Sequence, residues 1–220
     1  MRSVAKCAVS AVVVGLLALA CNNSEQPPQA IVASNLQPTA GGVCNLGGEF
    51  MYVPLESPIP GPDTSDSTKV VVDGTSPYAI SCTVKPNGAG YDVVAQSQIT
   101  GGLDAGTFTV QGTFTPRQRD ANGNPTPAGD ATAITGIRVD FLSASGHLQE
   151  KDCTAQYTQV INGTPASSLP GEADTFADDK GGRIWASIFC PNLVNLTTDK
   201  SGLDGCAGAA TFRFENCLNK

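Results

Sequence analysis

This chain of 220 residues is poor in the residue types on which many enzymes and nucleic-acid-binding proteins depend. It has one His, one Trp, four Tyr and eight Phe, and 13 Lys+Arg stand against 20 Asp+Glu for a net charge of -7. A single His disfavours His-based metal sites and His-based catalysis. The acidic balance, with no basic cluster beyond Arg117 and Arg119, excludes nucleic acid as an expected partner.

The domain also lacks a sustained helical stripe of apolar residues. From Cys44 onward, period-two alternation recurs between Gly, Pro, Asn and Asp turns, which is typical of short strands. Residues 78–84 and 91–99 alternate on either side of a turn, and 183–190 is apolar on both faces, as suits a central strand. The sequence therefore predicts an all-β fold over 44–220, as a single disulfide-bonded β-sandwich or small barrel.

The N-terminal segment has the features of a leader peptide. Arg2 and Lys6 precede an apolar run over 8–20, which is shorter than the roughly 20 residues that a spanning helix needs. The run ends in Ala18-Leu19-Ala20-Cys21, which resembles the lipobox of bacterial lipoproteins. An uncleaved anchor helix is the alternative.

The lipobox resemblance implies where the protein resides. It implies a signal peptide over 1–20, a lipid on Cys21 and a membrane as partner through that lipid. The expected location is the bacterial cell envelope, and Asn22 after the cysteine implies the outer membrane if the host is Gram-negative. Residues 21–43, with three prolines and no basic residue, predict the lipidated Cys followed by a disordered tether. The alternative there is a short edge strand at 30–33.

Six cysteines remain after Cys7 and Cys21, and an even number in an exported domain predicts three disulfides: Cys44, Cys82, Cys153, Cys190, Cys206 and Cys217. The extended segment before Cys217 makes a Cys206–Cys217 bridge improbable. A Cys190–Cys206 bridge is preferred. Its rival is Cys153–Cys190, which needs a hairpin with 155 opposite 188.

A second resemblance concerns the β-domain. Val71-Val72-Asp73-Gly74, a strand with Cys82, the Gly-rich turn over 86–90 and a last strand ending in Cys217 are similar to the layout of mycobacterial surface lipoprotein antigens. Those are small β-rich lipoproteins. The resemblance implies that Cys82 pairs with Cys217.

Two acidic or amide-rich segments are candidate metal sites, and for both a plain surface loop is the favoured interpretation. The first resembles the opening of a calcium loop without its later ligands, and the second is an acidic loop before the buried strand. Their candidate ligands are Asp120, Asn122 and Asn124 in the first, and Glu172, Asp174, Asp178 and Asp179 in the second. We expect no metal and no cofactor.

Candidate binding and catalytic residues are equally few. Trp185, Tyr78 and Tyr91 could form an aromatic platform for sugars or peptides, although core packing is the favoured interpretation. His147 is expected in a turn, and Glu150 and Asp152 as exposed edge charges. No nucleophile motif accompanies them, so we predict no catalytic residue.

The sequence thus predicts a lipid-anchored bacterial envelope protein that is not an enzyme. Its β-domain would have a structural, adhesive or ligand-binding role, with an unidentified protein or polysaccharide as ligand. One alternative is an envelope hydrolase acting on polysaccharide or peptide. Another is a protein inhibitor or partner-binding module that docks through the loop 115–131 or 161–182.

Overall fold

A computed structural model describes most of the chain between residues 26 and 218. The described ranges are 26–46, 71–88, 90–101, 105–115, 121–122, 133–156, 182–198 and 202–218, with the backbone alone at 160–161, 164–165 and 172–175. Within these ranges, no helix is long and apolar enough to cross a membrane. The predicted signal peptide and Cys21 lie outside them.

The described chain forms twelve strands, which confirms the all-β prediction. In chain order they are β1 (Gln29–Pro38), β2 (Val71–Val72), β3 (Tyr78–Asn87), β4 (Gly90–Ile99), β5 (Gly106–Phe114), β6 (Ile134–Ser143), β7 (Gly146–Gln156), β8 (Val160–Ile161), β9 (Thr164–Pro165), β10 (Glu172–Thr175), β11 (Gly182–Asn195) and β12 (Cys206–Cys217).

The strands form one antiparallel sheet in the order β2-β1-β12-β11-β7-β6-β5-β4-β3, with β10 beside β11 and β8–β9 as a separate hairpin. The sheet curls until β3 returns to the end of β12. There the Val84 N–H donates to the Leu218 carbonyl and the Leu218 N–H donates to the Cys82 carbonyl, both at 2.9 Å. The result is a nearly closed barrel.

Alternate residues of the strands fill the interior, as the period-two pattern requires. Phe108 of β5 contacts Phe141 of the adjacent β6, with ring centroids 5.5 Å apart. It also meets Phe212 of β12, which is not adjacent to β5, at 5.7 Å. All three rings are fully buried. Side chains from opposite walls therefore meet in one core, each contributing about 1.5–3 kcal/mol by burial.

The closing seam of the barrel needs a residue without a side chain. Gly182 begins β11 and faces Val84 of β3, and a Cβ atom at residue 182 would lie 2.6 Å from the Val84 Cβ. Such a distance is a clash between two atoms that cannot rotate away. Gly182 therefore allows β11 and β3 to approach each other where the sheet closes.

The N-terminal boundary of the domain differs from the prediction. Residues 29–38 are not a disordered tether but β1, which pairs with β12 from Gln29↔Glu215 to Pro38↔Cys206. Ala30, Ile31 and Val32 are buried, and this burial outweighs the Pro- and Gln-rich composition of the segment. The alternative of a strand at 30–33 is correct in place, but the strand is longer and lies between β2 and β12.

The cysteines form three bridges, which confirms the predicted number. The pairs are Cys44–Cys206, Cys82–Cys217 and Cys153–Cys190, with Cα atoms 5.1, 4.7 and 4.5 Å apart.

The preferred Cys190–Cys206 bridge is wrong, because the chain after β1 runs beside 202–205 and brings Cys44 to Cys206. The rival Cys153–Cys190 bridge is confirmed, including Ala155 opposite Ile188. The Cys82–Cys217 bridge, implied by the antigen resemblance, is also present.

Candidate functional site

The three aromatic candidates do not share a surface. Tyr78 and Tyr91 lie at opposite ends of the β3–β4 hairpin, opposite Ile99 and Pro86 respectively, and both pack against the core. Trp185 is 1% exposed and lies opposite Arg213 on the other face of the sheet from the core. The structure therefore provides no aromatic platform from these residues, and core packing accounts for both tyrosines.

The metal candidates are only partly described. Asn122 is exposed, while Asp120, Asn124, Asp178 and Asp179 lie outside the described residues.

Glu172 and Asp174 were expected in a loop, but they lie in β10. Their backbone positions there are opposite Trp185 and Arg183 of β11. The pairing with β11 explains the difference, because a neighbouring strand supplies hydrogen-bond partners that the sequence does not reveal.

A polar cluster of the described surface is centred on Asp140, a residue that no motif in the sequence indicates. Its carboxylate accepts hydrogen bonds from Arg138 Nε at 2.9 Å and Gln149 Nε2 at 2.5 Å, and lies 2.8 Å from His147 Nε2. Residues two apart share a face of a strand, and the pairing of Asp140 with Gln149 brings β6 and β7 side chains together. We call these four residues the Asp140 cluster.

The electrostatics of the cluster favour a stable anion. Burial alone would raise the pKa of Asp140, but hydrogen bonds from Arg138, Gln149 and His147 outweigh it and hold the pKa below its usual range. The Asp140 side chain is 12% exposed and that of Arg138 is 45% exposed. Asp140 is therefore an ionised acceptor for three donors, rather than a group poised to take a proton.

His147 lies in β7, directly after the β6–β7 turn, rather than in the turn itself. Its ring contacts Asp140, and no hydroxyl or thiol of the described residues lies at hydrogen-bond distance from the ring. A nucleophile activated by His needs such a contact. The cluster can orient an imidazole and present hydrogen-bonding groups.

The Asp140 cluster belongs to a larger polar surface. The pairing Asp140↔Thr109, Thr109↔Gln96 and Gln96↔Ser81 carries one row of polar side chains across β6, β5, β4 and β3. We call this outer surface the polar face; its further members are Gln98, Thr107, Gln111 and Thr113. The neighbouring rows also contain the exposed apolar residues Val94 and Leu142, and the one continuous row of hydroxyl and amide groups suits a ligand rich in hydrogen-bonding groups.

A second cluster surrounds a buried cation on the outer side of β12. Arg213 is 3% exposed, and its Nε lies 3.6 Å from Glu215, which accepts a bond from Gln29 Nε2 at 2.6 Å. Burial lowers the pKa of Arg213, and the charge of Glu215 opposes that effect. β8 lies close to β11 and β12. The cluster fastens β1 to β12 at the point where the chain enters the barrel.

Glu150 and Asp152 also differ from each other. Asp152 is exposed, as expected, but Glu150 is half-buried and accepts a hydrogen bond from the Asn192 N–H at 2.8 Å. Burial raises the pKa of Glu150, and the hydrogen bond from Asn192 partly opposes this effect. The nearby charge of Asp152 adds a smaller upward contribution. Among the described residues, Glu150, Cys153 and Cys190 form the one group with three metal-ligating atoms close together.

These features define a disulfide-bonded antiparallel barrel with one polar outer face and one buried ionic cluster. No protein-family model, curated protein or solved structure matches the chain.

Proposed function

We propose that this chain is an exported, lipid-anchored bacterial envelope protein whose barrel binds a ligand on its surface and does not catalyse a reaction. The observation that carries the proposal is the set of three disulfide bridges behind a lipobox-like leader. Bridges of this kind persist in oxidising compartments outside the cytoplasm, which is where a lipobox leader would direct the chain.

The entry point of the chain into the barrel supports anchoring at Cys21. The Pro27 carbonyl accepts a bond from Asn216 Nδ2 at 3.1 Å, and the Pro28 carbonyl accepts one from the Asp73 N–H at 2.8 Å. Gln29 lies eight positions after Cys21, a span of at most about 28 Å. A lipid on Cys21 would hold this end of the barrel near the bilayer, with the polar face on the side wall.

The polar face supports a binding role. Arg138 and His147 are partly exposed while Asp140 orients both, and hydroxyl and amide groups continue the surface across three further strands. Oriented side chains with spare donors and acceptors can bind a polysaccharide or a polar protein surface with little loss of conformational entropy.

Palmitate labelling tests the anchor. Radiolabelled palmitate should enter the wild-type chain and the Cys7→Ala control, and it should fail to enter Cys21→Ala. The Cys21→Ala variant should also leave the membrane fraction. Equal labelling of all three chains would contradict the proposal.

A hydrolase is the second candidate, and the Asp140–His147 pair favours it. Under the binding proposal, the purified wild-type chain releases no product from envelope polysaccharide or peptide. A hydrolytic activity that His147→Ala and Asp140→Asn both abolish would establish the hydrolase instead. The third candidate, docking through 115–131 or 161–182, stays a prediction because most of both loops lies outside the described residues.

A further inference from the structure

The ladder between β7 and β11 is interrupted in the middle of both strands. Phe189 pairs with Thr154 and Val194 pairs with Gln149, but the residues between these two positions, all of them described, form no ladder pairs. Pro191 lies in the interruption and has no N–H to donate. The Cys153–Cys190 bridge and the Asn192 N–H bond to Glu150 span the gap instead.

The gap places three potential metal ligands together. One carboxylate oxygen of Glu150 and the sulfurs of Cys153 and Cys190 lie within 4.8 Å of one another. Ligand atoms that share one tetrahedral zinc ion lie about 3–4 Å apart, so small side-chain shifts suffice once the sulfurs separate. Among the described residues, neither of the other two bridges has a third ligand atom at this distance.

We propose that Glu150, Cys153 and Cys190 bind a thiophilic divalent cation, with Zn²⁺ as the test case, whenever the bridge is open. Water would complete the tetrahedron. Metal binding and bridge formation then exclude each other, because both use the same two sulfurs. The site is thus either a covalent clamp across the gap or a metal clamp in the same place.

The chemistry needs no group beyond a thiol redox partner. Both thiols exist before the bridge forms. Afterwards a dithiol reductant restores them by exchange: the Cys153–Cys190 S–S bond breaks, the reductant's own S–S bond forms, and two electrons and two protons pass to the protein sulfurs. Binding of the cation then releases the two thiol protons to solvent.

The surroundings favour a cation over three free anions. Cys153 and Cys190 are fully buried, and Glu150 is half-buried beside them. Two thiolates and a carboxylate at this spacing repel one another in a medium of low dielectric, whereas a divalent cation offsets two of the three charges. The Asn192 N–H holds the Glu150 carboxylate in place.

Site-resolved alkylation of the full chain tests the proposal. The chain is reduced with a dithiol, then alkylated with and without Zn²⁺, and labelling of each cysteine is followed by mass spectrometry. Zn²⁺ should slow alkylation of Cys153 and Cys190 at least about tenfold, and leave Cys82 and Cys217 unchanged. Glu150→Gln should lose about tenfold in Zn²⁺ affinity, as is typical when metal-site support is removed. Asp152→Asn is the matched control and should behave as wild type.

Three results would overturn the proposal. One is equal Zn²⁺ protection of all cysteine pairs, which indicates binding by an unfolded dithiol chain. Another is full Zn²⁺ protection of Cys153 and Cys190 in Glu150→Gln, which would show that the carboxylate is not a ligand. The third is loss of the β-sheet circular dichroism signal of the reduced chain in the presence of Zn²⁺, because the site requires β7 and β11 to stay paired.

Discussion

The wall formed by β3, β4 and β5 and the wall formed by β7, β11 and β12 are built differently. The first has ten consecutive pairs between β3 and β4 and nine between β4 and β5, without a shift of register. In the second, β11 shifts register against β12 at two places, and its ladder with β7 is interrupted in mid-strand. The first wall is a regular meander, and the second is an assembly of distant segments.

The covalent bridges lie where the hydrogen-bonded ladders stop. Cys153–Cys190 spans the interruption between β7 and β11. Cys82–Cys217 joins β3 to β12 at the seam, where, among the described residues, only the hydrogen bonds at Leu218 continue the sheet. Cys44–Cys206 secures the other end of β12. In this barrel, disulfides replace backbone pairing as the link between segments that are distant in sequence.

The largest expected effect is loss of the seam bridge. Cys82→Ser/Cys217→Ser opens a loop with a sequence separation of 135 residues, and chain entropy predicts a loss of about 5 kcal/mol in the free energy of unfolding. Urea unfolding measures it. Hydrogen exchange should become faster at Val84 and Leu218 before it does at Val93 and Val110 of the regular wall.

Cys153→Ser/Cys190→Ser is the matched control for the seam variant. Its sequence separation is 37 residues, and the expected loss is about 4 kcal/mol. A seam variant as stable as wild type would contradict the conclusion that disulfide bridges replace backbone pairing where the ladders stop.

An intermediate effect is expected at the buried cation. Arg213→Met leaves the Glu215 carboxylate without its cation on the irregular wall, and about 3 kcal/mol should be lost. Arg138→Met, on the polar face, removes a 45% exposed partner of Asp140 and should cost no more than about 1 kcal/mol. Thermal and urea unfolding compare the two. Equal losses would show that burial does not distinguish these ion pairs.

A smaller effect than at Arg213 is expected at Asp140, and it depends on pH. Asp140→Asn should lose about 1–2 kcal/mol at pH 7, because three donors lose their anionic acceptor. The lowered pKa of the folded carboxyl means that its stabilisation is complete above the unfolded pKa, about 3.9, and disappears as pH falls through the folded value.

Urea unfolding at pH 7 and at acidic pH follows that difference. The difference in the free energy of unfolding between wild type and Asp140→Asn should shrink as the solution is acidified. The exposed Asp152→Asn is the control, and a wild-type–variant difference at Asp140 that is constant with pH would contradict the assignment.

The regular wall was accessible from sequence because its information is local. Alternation at 78–84 and 91–99 and the turn between them predict β3 and β4 directly. β1 was expected only as the alternative at 30–33, because its stabilising partner, β12, lies more than 160 residues further along the chain. A short apolar segment such as 30–32 has little strand signal until a neighbouring strand covers it.

The site divides in the same way. Arg138 and Asp140 are two residues apart and so share one side of β6 by period alone, but the partners His147 and Gln149 depend on the register of β6 against β7. The Glu150 group depends on an interruption that involves β7 and β11. The two-residue period and the composition do not specify how neighbouring strands are paired, so neither cluster could be predicted from the sequence.

The sequence by itself determined the all-β class, the even set of six cysteines from Cys44 onward and the acidic, His-poor character that disfavours nucleic-acid binding and His-based metal sites. These follow from composition and from the two-residue period of a strand. Only the tertiary structure decided which cysteines pair, where the domain begins and which polar groups meet. Those outcomes depend on contacts between segments far apart in the chain, and their free energy exists only when the barrel closes.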